Sequence, residues 1–282
     1  MDFSFSGEQD DLRREARAFL ESNASPTMAE LRELGWVGML LSNDYTFVDA
    51  AVLFEELGRV LYDGPFVLNE VAAQPGGEVW SIEIDGFVPH LAQVTRVLTP
   101  AMEGEPADGE TLTTVDETLG LGRLRRNGAQ PAEGSWDDVR RKLLAALALE
   151  AVGIGSKAVE LAVAYASQRE QFGKKIGAYQ AISHSLVDAY VAVELSRSLA
   201  YWAAWCVAER DEHVDLAVAA AKSQAAEAAV LACEKSIQAH GGIGFTWEHP
   251  LHRYYKRALW LEGALGYGRI HRAEVASSLL SS

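Results

Sequence analysis

The sequence predicts a mostly α-helical fold in which a shortened N-terminal helical domain (residues 1–75) and a reduced β-domain (76–135) precede a C-terminal four-helix bundle (136–282). Three observations predict it. Alanine-rich stretches of helical periodicity fill the last half of the chain, a β-rich segment punctuated by turn residues lies in the middle, and an amphipathic pattern opens the chain. With 282 residues, 49% of them apolar, the chain can bury a substantial core.

Taken in order, Phe5 to Leu20 reads as a helix with Ser6 as N-cap, acids in the first turns, and Leu12, Ala16, Phe19 and Leu20 on one face. Ser25-Pro26 breaks it. A shorter helix runs from Met28 to Leu34 and stops at Gly35, and Trp36 to Leu41 is read as a buried apolar run. Phe47 to Val60 is helical again, with Val52, Phe54 and Leu57 apolar and Glu55-Glu56 read as a solvated face. In the middle, Val79 to Ile84 alternates like a strand and Val94 to Leu98 is β-rich. Gly104 to Pro106 and Asp108-Gly109 mark turns, and Arg123, Arg125 and Arg126 form a basic, solvated strand face.

From Trp136 the period is helical. A first long helix reaches Gln168, with Gly153 and Gly155 on a tight small-residue face; a second spans Ile182 to about Arg210. The third is Ala217 to Gln238, and the fourth Leu259 to Leu280. Short loops make them antiparallel neighbours in a bundle. The cysteines, Cys206 and Cys233, sit in alanine-rich helical patterns and read as buried small hydrophobes, with no metal-ligand spacing around them.

A net charge of −15 argues against nucleic acid as a partner, because binding a phosphate backbone needs a basic face. The opening Met1 to Ser6 has neither a basic n-region nor an apolar h-region, and no stretch reaches the ~18 apolar residues of a spanning helix. The expected location is the cytoplasm, without a membrane partner.

Two stretches stand out chemically. Arg169-Glu-Gln-Phe-Gly-Lys-Lys-Ile-Gly-Ala-Tyr-Gln180 interrupts the helical pattern with an arginine, two lysines and glycines at 173 and 177. Glycine permits tight backbone geometry, and the Arg169 guanidinium is a fixed fork of donors suited to a diphosphate. Gln238-Ala-His-Gly-Gly-Ile-Gly-Phe-Thr246 closes another alanine-rich helix with glycines that let backbone N–H groups approach a ligand. A basic glycine loop between helices can be no more than a C-cap and a turn, but the pair suggests one shared ligand. A dinucleotide fingerprint at Gly241-Gly-Ile-Gly244 is disfavoured, since a helix and not a strand precedes it.

Together these stretches resemble the C-terminal half of the acyl-CoA dehydrogenase family, whose marks are Arg-x-x-Phe-Gly between two helices and Gln-x-x-Gly-Gly-x-Gly at the end of a third. The resemblance is strong over residues 140–282, moderate over 1–70, and fades between. It implies an FAD-dependent enzyme that removes an α-proton from an acyl-CoA thioester with a carboxylate base while the β-hydrogen leaves as hydride to the flavin. Carried over, it places Arg169 at the FAD pyrophosphate, Gln171 and Phe172 alongside, Gln180 near the adenine end, and Gln238, Gly241 and Gly242 as a second wall. No metal is implied.

Other family marks depart. Residues 76–135 contain neither the Thr-Glu-Pro-x-Ala-Gly-Ser nor the Trp-x-Thr segment that covers the flavin ring. Where most members have Tyr-Glu-Gly, an ungapped count gives Ala264-Leu265-Gly266, and the alternative base position falls on Leu143. A three-residue gap would bring Leu261-Glu262-Gly263 onto the motif, keeping Glu262 as a candidate base or else an ordinary surface glutamate. Glu248 and Glu150 are expected to be structural, Glu150 as a paired carboxylate. No catalytic residue is assigned.

A chain that keeps an adenosine-diphosphate clamp without a ring bed or base resembles the short subunit of bacterial heterotetrameric acyl-CoA dehydrogenases, many acting on CoA thioesters of steroid side chains. The partners so implied are an acyl-CoA, a longer homologue as α subunit in an α2β2 assembly, and an electron-transfer flavoprotein as acceptor. Two alternatives stay open: a self-sufficient homotetramer using Glu262, and a flavin-free helical scaffold.

Overall fold

The computed structural model describes residues 5–280, so Met1 to Ser4 of the chain's opening lie outside the described residues. Helix α1 (Gly7–Ser22) starts where Ser6 accepts the Gln9 N–H at 3.1 Å and Gln9 Oε1 accepts the Ser6 N–H, a reciprocal cap. Helices α2 (Met28–Glu33) and α3 (Phe47–Arg59) begin on equivalent boxes at Thr27 and Thr46. Between them Trp36 and Met39 are buried as expected, whereas Leu41 is exposed. A further helix, α4 (Phe66–Ala72), was not expected: it follows Pro65 without a side-chain cap and is buried along its whole length.

Glu55 and Glu56 are not on a solvated face. Both are buried, Glu55 taking the Arg197 Nε–H at 2.9 Å and the Tyr201 hydroxyl at 2.8 Å, Glu56 taking Arg17 bidentately at 2.6 and 2.9 Å. A buried carboxylate persists only when its charge is met, and these two are met by side chains from α1 and the second bundle helix.

The strands are short. β1 (Trp80–Ile82), β2 (Arg96–Leu98), β3 (Glu103–Pro106) and β6 (Gln130–Pro131) form a sheet in the order β1-β2-β3-β6, parallel between β1 and β2 and antiparallel elsewhere. β4 (Gly109–Thr111) and β5 (Gly122–Leu124) make a separate antiparallel ribbon. β1 is buried at every residue rather than alternating, as for a strand covered on both faces. Gly104 to Pro106 is strand, not turn: a Cβ on Gly104 would stand 2.6 Å from the Trp80 ring, so the glycine answers close packing. Arg123 and its neighbours lie on the exposed side, Arg125 paired with Asp108 and Arg126 with Glu83.

The bundle is built from α5 (Trp136–Gln168), α6 (Gln180–Glu209) and α7 (Val214–His240), followed by α8 (Leu251–Gly263) and α9 (Gly268–Leu280). The expected fourth helix, Leu259–Leu280, is thus two helices. Leu265 and Gly266 between them take left-handed backbone, φ 59° and 106°, which no helix continues through. One hydrophobic core runs from α1 through α3 and all three long helices into α8. At the α3–α5 crossing, a Cβ on Gly153 would meet the Glu55 carbonyl oxygen at 2.1 Å, and one on Gly58 the Glu150 carbonyl oxygen at 2.3 Å. Gly155 lies against Val193 and Ala229, so the small-residue face of α5 is where it touches α3, α6 and α7.

Within Val214–Phe245 an 18-residue window reaches a mean hydropathy of 1.3, by length and composition enough to cross a membrane, contrary to the expectation that no stretch would be. Of that window 67% is buried inside the protein, as suits the central helix of a bundle. Cys206 and Cys233 are free and buried, and burial pushes both thiols up, Cys206 to about 11.

Candidate functional site

Because α5, α6 and α7 are antiparallel, the carboxyl ends of α5 and α7 and the amino end of α6 share one end of the bundle. Arg169 closes α5, its N–H donating to the Tyr165 carbonyl at 2.9 Å. Next comes a hairpin, β7 (Glu170–Gln171) paired with β8 (Lys174–Lys175), whose two-residue turn is Phe172-Gly173 with φ 53° and 83°. Two positive φ values in a two-residue loop give the turn whose twist matches the strands, and glycine suits the second position. Phenylalanine at the first is strained, and its ring is 91% exposed.

Local contacts brace the hairpin. The Tyr179 hydroxyl donates to the Gln171 carbonyl at 3.2 Å, Lys175 Nζ reaches Glu170 at 2.8 Å and the Gln168 carbonyl at 3.0 Å, and Lys174 Nζ sits 4.1 Å from the Tyr179 ring centroid. Arg169 itself has no side-chain hydrogen bond or ion pair among the described residues and is exposed. Gln180 follows as the first residue of α6, whose N-cap, Tyr179, contributes no side-chain hydrogen bond. An uncapped helix start beside a free guanidinium is an anion-binding arrangement, since first-turn N–H groups and dipole favour negative charge.

The second stretch ends α7. Gly241 takes φ 66° with ψ −143°, a conformation open essentially to glycine alone, and a short 3-10 helix runs over Gly241–Phe245. The His240 ring stacks on Tyr165 of α5 at 4.3 Å, with its Nδ1 2.7 Å from the Ser236 carbonyl. A small cluster of Ala162, Ala166, Ile176 and Leu186, with Ala239 and Tyr179 against it, packs beneath. The structure therefore brings Arg169, Gln171, Phe172 and Gln180 to the same end as Gln238, Gly241 and Gly242, all of them exposed. The Tyr165–His240 stack that joins the two walls was not read from the sequence; an aromatic one turn before the first motif and a histidine inside the second were its only signal.

The free Arg169, the unfilled start of α6 and the exposed glycine backbone fit the diphosphate end of a dinucleotide. Among the described residues no group of three or more His, Cys, Asp or Glu is placed to hold a metal.

The base positions are elsewhere. Leu143 is wholly buried in the core. Leu265 is half-buried on the α8–α9 turn, which three side chains hold: Asp85 Oδ2 accepts the Leu265 N–H at 2.8 Å, Lys222 Nζ donates to the Leu261 carbonyl at 2.6 Å, and His271 Nε2 lies 3.1 Å from the Gly266 carbonyl. Burial lowers Lys222 to about 8. Glu262 is half-buried in the last turn of α8.

Glu150 is a paired structural carboxylate, as expected. With Asp116 it receives the buried Arg257 guanidinium, Arg257 Nε meeting Asp116 at 2.8 Å and its NH2 the Thr118 hydroxyl at 2.7 Å. His90 beside them is lowered to about 3, by burial and then by Arg257. Its Nδ1 has no partner and faces a cavity of about 20 Å³, room for a single water. Glu248, expected to be structural, is exposed on the turn before α8 and makes no side-chain hydrogen bond or ion pair among the described residues.

Residues 144–280 match the model of the acyl-CoA dehydrogenase C-terminal domain. Acyl-CoA dehydrogenase IpdE2 of Mycobacterium tuberculosis is 30% identical over 266 residues, covering 86% of this chain and 79% of that one. Among solved structures, a chain of the ChsE4-ChsE5 complex from Mycobacterium tuberculosis matches with a TM-score of 0.86 at 21% identity, covering 100% of both chains. One from the Tcur3481-Tcur3483 steroid ACAD matches at 0.84 and 21% identity, covering 97% of this chain and 98% of that one. At that identity the two structures show the fold.

Proposed function

We propose that this chain, which belongs to the acyl-CoA dehydrogenase family, is the short subunit of a two-chain enzyme, holding the adenosine-diphosphate end of the cofactor while a longer homologue supplies the flavin-ring site and the base. FAD is the cofactor of the family, and when bound it supplies the hydride acceptor. The reaction is α,β-dehydrogenation of an acyl-CoA thioester to the enoyl-CoA, with electrons passed to an electron-transfer flavoprotein. An α2β2 assembly in the cytoplasm completes the reading, and the steroid ACAD among the structural relatives favours a steroid side-chain thioester.

The observation that carries it is the pair of leucines at the base positions, Leu143 sealed in the core and Leu265 on a strained turn; neither can take a proton. This chain's residues bind and orient. Arg169 and the first turn of α6 neutralise the diphosphate, Gly241 and Gly242 let backbone approach it, and Gln171, Phe172, Gln180 and Gln238 flank it. Exposed apolar side chains on α6 and at the hairpin tip support a neighbouring subunit.

Purifying the chain alone and with its longer homologue, then recording the flavin spectrum and turnover, tests this. The expected result is flavin and activity only in the pair. Flavin and robust turnover by the lone chain would overturn it in favour of a self-sufficient enzyme, in which Glu262→Gln would then abolish turnover with flavin still bound. A protein that never holds flavin, alone or paired, would be a scaffold.

A further inference from the structure

The turn before β2 and the β4–β5 ribbon stand apart from the main core. Val88, Leu91 and Val97, with Val94, Ala107 and Leu124 against them, make a small apolar cluster of their own. A polar clasp ties this part to the bundle. In the loop between β4 and β5, Asp116 accepts the Arg257 Nε–H at 2.8 Å and the Thr118 hydroxyl accepts from its NH2 at 2.7 Å, while Glu150 of α5 accepts from the same guanidinium. His90 closes the clasp from the turn. It is 5% exposed, takes left-handed backbone with φ 57°, and is pinned by its N–H to the Leu119 carbonyl at 2.7 Å. Its Nδ1 has no hydrogen-bond partner among the described residues, and its ring borders the cavity of about 20 Å³ together with Tyr62, Glu150 and Arg257.

The Asp63 carbonyl accepts a hydrogen bond from the ring, which with Nδ1 unpartnered comes from Nε2, so the neutral tautomer keeps a lone pair on Nδ1. A proton added there sets an imidazolium beside Arg257, in a space with room for one water and none for a hydrated counter-ion. Asp116 and Glu150 exceed Arg257 by one charge, but both are already bonded to its guanidinium, and burial holds Tyr62 neutral by pushing its hydroxyl up. Burial first and Arg257 second lower His90 to about 3 from an ordinary 6.5, the Asp63 carbonyl opposing them. We propose that His90 and Arg257 form an acid-released clasp, which holds the β4–β5 ribbon and the turn before β2 against α5 and α8 while His90 is neutral and frees them when it takes a proton. Because the folded-state value lies below the ordinary one, this stabilisation is whole above pH 6.5 and is lost progressively as pH falls from there toward 3. Release should be local, since Trp80, Ile82 and Leu98 of the neighbouring strands belong to the main core and stay with it.

The test is hydrogen exchange read by mass spectrometry between pH 7.5 and 4.5, corrected for the intrinsic pH dependence of exchange, on the full-length chain, paired with its homologue where it requires one. Opening of the segments 88–94 and 112–124 should rise on the order of a hundredfold over that range, while α5, α6 and α7 keep their protection. His249, His252 and His271 are also lowered by burial, and His252 of α8 feels Glu117 of the β4–β5 loop, so the His90 variant and not pH alone decides. His90→Asn keeps a short polar side chain that tolerates left-handed backbone and takes no proton, and it should flatten the rise whatever its effect on the absolute level. In parallel, side-chain nitrogen NMR of the wild type should show His90 neutral at pH 5, with its proton on Nε2. A His90 already protonated at pH 6, a rise that His90→Asn leaves as steep, or a ribbon that opens only when the whole bundle does would each overturn the proposal. Flavin content does not enter these readouts, so the clasp and the flavin reading stand or fall separately.

Discussion

At the scale of single residues, Arg169 has the clearest consequence. Most arginines of this chain are tied to carboxylates, as Arg17, Arg141 and Arg257 show, whereas Arg169 caps α5 through its backbone and leaves its guanidinium free beside the start of α6. A structural arginine would be paired; a free one at a helix start is poised for an anion. Charge-assisted contacts are worth roughly 1.5–3 kcal/mol, so Arg169→Ala should weaken FAD retention by the assembled enzyme about tenfold to a hundredfold, read as flavin content after dialysis. Unchanged flavin content would reduce Arg169 to a helix cap. The sequence singles out Arg169 because its motif is contiguous. Glu55 and Glu56 could not be read that way: Arg59 is a local partner of Glu56, but Arg13, Arg17, Arg197 and Tyr201 come from α1 and α6, and a local pattern does not show the groups that folding brings to the two acids.

At the scale of elements, periodicity and capping gave α1, α3, α5, α6 and α7 nearly whole, since each begins at a polar cap or a turn and keeps a 3.6-residue apolar stripe. The α8–α9 break was missed although Gly263, Gly266 and Gly268 crowd it, because apolar residues continue across it in near-helical register. What fixes the break is tertiary, the grip of Asp85, Lys222 and His271 on the turn. The small-residue face at Gly153 was legible, and it carries a measurable consequence. A methyl group there would stand 2.1 Å from the Glu55 carbonyl oxygen, which is backbone and cannot swing aside, so α3 and α5 would have to separate. Gly153→Ala should therefore destabilise the protein by about 1–3 kcal/mol in urea unfolding, despite alanine's better helix propensity. A neutral or stabilising result would mean that the α3–α5 crossing yields more readily than its buried ion pairs imply.

At the scale of the whole molecule, the distribution of apolar surface decides between a lone subunit and a partnered one. Val187, Tyr190, Val191 and Leu195 lie exposed along one face of α6, Leu195 at 59%, and Phe172 stands out at the hairpin tip beyond its amino end. Residues three and four apart share a helix face, so these form one stripe about two to three turns long, at the amino half of the helix that begins the proposed diphosphate site. A partner seated there would cover the stripe and reach the flavin clamp together. Association and cofactor retention should then fail in concert when the stripe is charged. Leu195→Glu removes no buried contact of the folded chain, so its unfolding free energy should change by no more than about 0.5 kcal/mol. The same charge, forced into an apolar interface, has no cation among these neighbours to meet it and should disrupt co-purification with the longer homologue. Flavin content should fall with it, while Arg169→Ala should lower flavin and leave the two chains together. A Leu195→Glu variant that still co-purifies with full flavin would place the interface on another face of the bundle and sever the link between assembly and cofactor.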